Sequence, residues 1–127
     1  MFTIESDATR NRLVIRYKGF VSAAEMREGV PKIEAALASL RPGFQLLTDL
    51  SGLSEMEVEA AGTIKQVMDL CRQRGIARVV RVIPDPKKDI GFNIMSHFHY
   101  KRGVGIVTCE TLAEAQAALA VGEAETA

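Results

Sequence analysis

The chain has 127 residues, 47% apolar and 25% charged, with 16 Lys+Arg set against 16 Asp+Glu. That length carries one hydrophobic core, and so one domain. Zero net charge argues against long-range attraction to nucleic acid, and no apolar run reaches the ~18 residues of a membrane span.

The charge is unevenly spread. Residues 65–103 hold nine Lys/Arg against three Asp/Glu, while residues 104–127 hold four Glu and no basic residue. We read this as scattered solvated charge rather than a basic docking surface. Cys71 and Cys109 lie far apart with no C-x-x-C pattern, as structural thiols of a reducing compartment do. The opening Met1-Phe2-Thr3-Ile4-Glu5 lacks the charged-then-apolar layout of a leader, so a cytoplasmic protein is expected.

Period-2 alternation at Phe2 and Ile4, then at Leu13, Ile15 and Tyr17, predicts two antiparallel strands joined by a turn over residues 7–12, the second ending at Gly19. Ser22 and Glu25 have capping-box spacing, opening a helix to about Leu40. Pro31 within it predicts a kink or a division in two. Arg41-Pro42-Gly43 is a stop signal. Residues 44–48 and 79–83 are nearly all apolar, the pattern of central parallel strands covered on both faces. Between them a helix is expected over residues 56–74, with Val58, Ala61, Ile64 and Met68 inward. Pro84-Asp85-Pro86 breaks the fourth strand, Asp89 caps a third helix, residues 104–108 form the last strand, and Thr111 caps a final helix over 112–121. A single domain over residues 1–121 and a frayed polar tail over 122–127 complete the chain. The expected fold is α/β, β-β-α-β-α-β-α-β-α, with a mixed, mostly parallel sheet of about five strands.

A short buried strand ending in Asp49-Leu50-Ser51-Gly52 and running into a helix resembles the STAS domain, the fold of bacterial anti-sigma factor antagonists. In that family the helix start reads Asp-Ser-Ser-Gly, and a partner kinase phosphorylates a serine there. The matching stretch here is Glu59-Ala60-Ala61-Gly62. A methyl group cannot accept a phosphoryl group, so the resemblance implies a regulatory domain without its usual switch. Residues 81–86 and the tract Asp89-Ile90-Gly91-Phe92-Asn93-Ile94-Met95 are more similar to a divergent SpoIIAA-like branch. That branch also resembles the SEC14 lipid-binding fold.

The acidic cluster after Asp49 reads as helix capping. Ser54 would cap the first amides, and Glu55, Glu57 and Glu59 would sit at the positive end of the helix dipole. Acid/base chemistry lacks a basic or nucleophilic companion nearby. His97 and His99, two apart on a helix, point about 200° away from each other and share a metal poorly. Arg78 and Arg81 interrupt an apolar strand, which places them at its ends or on an exposed edge.

No catalytic motif, cofactor site or metal site is expected. The candidate partner-binding residues are Asp49, Ser51, Ser54 and Glu59. The stripe around Phe92, Met95, His99 and Tyr100 exceeds what one buried helix face needs, which makes it a candidate dimer or apolar-ligand surface. The expected function is a non-catalytic interaction or regulatory domain that forms a homodimer and meets a regulatory protein partner. The alternative is a small binding protein for an apolar or amphipathic, lipid-like ligand.

Overall fold

The computed structural model describes residues 1–83 and 104–126, the last three of them by backbone alone. The strands are β1 (Phe2–Asp7), β2 (Arg12–Val21), β3 (Gln45–Met56), β4 (Arg78–Val82) and β5 (Gly105–Cys109). The helices are α1 (Ala23–Leu37), α2 (Ala60–Gln73) and α3 (Leu112–Thr126). The strands lie side by side in chain order, β1-β2-β3-β4-β5. β1 is antiparallel to β2, and the remaining pairs are parallel. The expected mixed five-stranded sheet is present, with β3 and β4 inside it. The expected helix near 89–100 lies outside the described residues.

The β1–β2 turn forms because Asp7 Oδ1 accepts from the Arg10 N–H at 3.0 Å and Asn11 adopts φ 54°. Asn11 also ties this turn to the end of α1's connection, accepting from Arg41 N–H at 2.8 Å. α1 starts as its sequence predicts, with Ser22 Oγ accepting from the Glu25 N–H at 3.1 Å. The return half of the capping box is not made. Glu25 instead accepts from the Phe2 N–H at 3.0 Å, fastening β1 to α1. Pro31 sits inside α1 on its exposed side without dividing it, because Met26, Val30, Ile33 and Leu37 hold the apolar stripe on the sheet.

One face of the sheet supplies Leu13, Ile15, Tyr17, Leu46 and Val79 to a core shared with α1 and α2. Leu47, Val80, Val82 and Cys109 point the other way, onto Ala115 and Leu119 of α3. Helices therefore cover both faces of β3 and β4, which is why those strands read as unbroken apolar runs. Thr111 caps α3, its Oγ1 accepting from the Glu114 N–H at 3.2 Å. The α3 backbone continues to Thr126, past the expected end at residue 121. α3 is also clasped to the start of the sheet. Arg12 pairs with Glu123 and donates to Gln116, and Gln45 Nε2 donates to the Leu119 carbonyl at 2.9 Å. Both cysteines are buried, and neither is in a disulfide. Among the described residues no helix is long and apolar enough to cross a membrane.

Candidate functional site

The tract after Leu47 differs from its sequence reading. Asp49 does not end a strand; β3 continues through Met56. Its register against β2 slips twice. Arg16 pairs with Asp49 but Lys18 with Gly52, and Gly19 pairs with Leu53 but Phe20 with Glu55. Each slip places one extra residue in β3, a bulge, which is uncommon between parallel strands. Each extra residue also resets the in/out alternation. Leu50, Leu53 and Met56, three apart, consequently all reach the core shared with α1 and α2. A spacing of three with polar residues between lacks the alternation of a strand, which is why the sequence reads there as a polar turn leading into a helix.

Asp49 holds the first bulge. Its Oδ1 accepts from the Ser51 N–H at 3.0 Å and from Ser51 Oγ at 2.6 Å, satisfying an amide that the slipped ladder leaves over. The carboxylate is nearly buried, and Arg16 Nε lies 3.8 Å from its Oδ2. Asp49→Ala is expected to cost about 1–2 kcal/mol, because two charge-assisted bonds go from a part-buried site. Asp49→Asn keeps the acceptor and is expected to cost less. Urea unfolding of both variants checks this, and equal losses would place the effect in charge rather than in bulge capping.

The acidic residues divide among separate tasks. Glu55 is exposed on β3 and pairs in register with Phe20, itself 53% exposed. Glu57 Oε1 accepts from the Ala23 N–H at 2.9 Å, so it caps α1 rather than α2. Ser54 is the extra residue of the second bulge and not a helix cap. Glu59 is the N-cap of α2 but makes no side-chain capping bond. Val58, expected inward, is 84% exposed beside it. α2 begins after the chain is turned by the Ala60 N–H donating to the Glu57 carbonyl at 3.0 Å and the Ala61 N–H donating to the Val58 carbonyl at 3.1 Å. Ala60 is fully buried, Ala61 half-buried and Gly62 exposed.

Of the predicted partner-binding residues, Asp49 and Ser51 meet directly, while Ser54 and Glu59 lie further on, on the bulged strand and at the start of α2. Phe92, Met95, His99 and Tyr100 lie outside the described residues. Arg78, at the start of β4, is half-buried and donates to the Ala118 carbonyl at 3.4 Å. Arg81 corrects its expectation. It is neither at a strand end nor on an edge, but 1% exposed in a central strand. Thr48 and Thr108 flank it in register, and its Nη2 donates to Thr108 Oγ1 at 2.6 Å. Neither this burial nor the Glu57 cap was legible in local spacing, since their partners lie 27 and 34 residues away. Among the described residues no group of three or more His, Cys, Asp and Glu gathers as a metal site would require.

No family model and no curated protein matches this sequence. Solved structures do, and they define the fold as the STAS-type, SpoIIAA-like one. The unphosphorylated form of the anti-sigma factor antagonist SpoIIAA superimposes with a TM-score of 0.66 at 19% identity, covering 96% of this chain and 99% of that one. A DUF3478-family protein from Shewanella loihica PV-4, also SpoIIAA-like, gives 0.66 at 17% identity over 94% and 92% of the two chains. The phosphorylated form of the Bacillus cell-fate determinant SpoIIAA gives 0.62 at 18% identity over 94% and 99%.

Proposed function

We propose that this chain is a non-catalytic regulatory interaction domain of the anti-sigma-antagonist type, self-associating, whose partner surface works without a phosphorylation switch. The observation that carries this reading is the start of α2, where Ala60 and Ala61 offer no hydroxyl. The proteins of similar fold include one solved in both phosphorylated and unphosphorylated forms. Here the neighbouring serines are poor substitutes. Ser51 is bonded to Asp49, and Ser54 adjoins Glu55. A phosphate at either would bring nearly two negative charges beside carboxylates.

What remains is a fixed surface. Exposed Val58 and Phe20 supply apolar contact, and Glu55 and Glu59 supply charge. Its complement is a partner patch that is apolar at the centre and basic at the rim. The test combines two measurements. After incubation with ATP and lysate of cells that make this chain, intact mass is expected to be unchanged. A partner purified on the wild-type chain from the same lysate is expected to bind Val58→Asp far more weakly. Stoichiometric phosphate on Ser51 or Ser54 overturns the switchless reading, and undiminished binding to Val58→Asp overturns the surface.

A further inference from the structure

β1 is one edge of the sheet. The Met1 amino group donates to the Lys18 carbonyl at 2.9 Å, and the Lys18 N–H donates to the Met1 carbonyl at 2.7 Å. That exchange marks a hydrogen-bonded pair and sets the phase of the whole ladder. Thr3 and Glu5, opposite Arg16 and Val14, then aim their main-chain groups at β2. Phe2, Ile4 and Ser6 aim theirs outward. The Phe2 N–H agrees with this phase, because it meets Glu25 Oε2 on the outer side. The N–H and C=O of Ile4 and Ser6 and the C=O of Phe2 thus form an open ladder among the described residues.

Beside that ladder runs a groove of about 510 Å³ between β1 and α1. Half-buried Phe2 and Ile4 form its strand side, and Glu28, Gly29 and Lys32 its helix side. Gly29 makes the close approach possible, since a Cβ there would lie 1.9 Å from the Phe2 ring.

We infer that a second copy of this chain adds its β1 antiparallel to this edge, with the two-fold axis at Ile4, so that two sheets become one. The occupant follows from the strand's own sequence. About that axis Ile4 faces the partner's Ile4, Thr3 faces the partner's Glu5, and Phe2 faces the partner's Ser6. No like charges meet, and each Glu5 carboxylate gains a hydroxyl donor. The Ile4 pair exchanges two main-chain bonds, and each Ser6 N–H reaches the partner's Phe2 carbonyl. Two neighbouring registers fail. An axis at Ser6 sets Glu5 against the partner's Asp7, which like charge opposes. An axis at Phe2 needs the N–H that Glu25 already holds. The pairing is isologous and closes at two copies.

This inference rests on the self-association part of the proposed function, not on the partner surface near α2. The experiment is sedimentation equilibrium on the full chain and on three variants. Ser6→Pro removes an outward N–H and no bond of the β1–β2 ladder, so the fold is retained, as circular dichroism will check. Thr3→Glu sets like charges across the axis twice while facing Arg16 within its own sheet. Each is expected to weaken dimerisation by about tenfold or more. Adding Glu5→Lys to Thr3→Glu restores opposite charges and is expected to recover most of the loss. In the dimer, amide exchange at Ile4 and Ser6 slows as concentration rises. A wild-type chain that stays monomeric overturns self-association and this inference together. A wild-type dimer whose dissociation constant is unmoved by Ser6→Pro and Thr3→Glu overturns this inference alone.

Discussion

Phe44→Ala is expected to lower the unfolding free energy by about 3–5 kcal/mol, the range for emptying a large aromatic site in a packed core. Phe44 is 1% exposed and stands immediately before β3. Its side chain belongs to the core shared with α1 and α2, and its carbonyl accepts from the Ala77 N–H at 2.9 Å, aligning β4 beside β3. Truncation therefore leaves a void at the point where both central strands begin. Domains of this size hold only about 5–15 kcal/mol in total, so the loss takes a large share. Urea unfolding should show a lower midpoint with an unchanged slope. A loss below ~1 kcal/mol would mean that the site collapses freely or that Phe44 is not in the core.

The second large effect depends on pH. Tyr17 is buried, with its ring stacked on Phe2 at a centroid distance of 5.8 Å. Burial, and then the neighbouring Cys71, push its phenol well above the ordinary value of 10.0. Below that ordinary value the phenol is protonated in both folded and unfolded chains and adds no pH dependence. Above it the unfolded chain releases the proton and the folded chain keeps it. The unfolded state then binds fewer protons, and stability falls with rising pH by about 1.4 kcal/mol per unit. Tyr17→Phe lacks this group. Relative to wild type, the variant is expected to gain about 2 kcal/mol between pH 10 and 11.5. Parallel alkaline unfolding curves for the two proteins would show that Tyr17 ionises freely in the folded state.

The two proteins' difference isolates one buried group, and that group was legible beforehand as an inward position of a period-2 strand. So were Leu13, Ile15, the Ser22 cap and the apolar strands around Leu46 and Val79, because in each case local spacing carries the signal. The site was only half legible. The contact between Asp49 and Ser51 is two residues long, and the family likeness pointed at it. The bulges hid the rest. Once alternation resets twice between Asp49 and Met56, a strand loses its period-2 signature and reads as a turn before a helix, and Ser54, Val58 and Glu57 are all misassigned in consequence. Arg81 failed for another reason. Arginine in an apolar run is normally at a surface, and the Thr108 hydroxyl that receives it belongs to another strand.

The sheet's spatial order is also its order in time. Each strand added during synthesis lies next to the one made just before it, so the sheet can grow on the ribosome without waiting for distant sequence. The exception is α3. Among the described residues, Ala115 and Leu119 of α3 are what covers Leu47, Val80 and Val82, and they are made after all five strands. Arg12 and Gln45, at the start of β2 and β3, meanwhile await partners that are translated after every strand of the sheet. The clasp between Arg12 and Glu123 therefore joins the second strand of the sheet to a helix made after the last one.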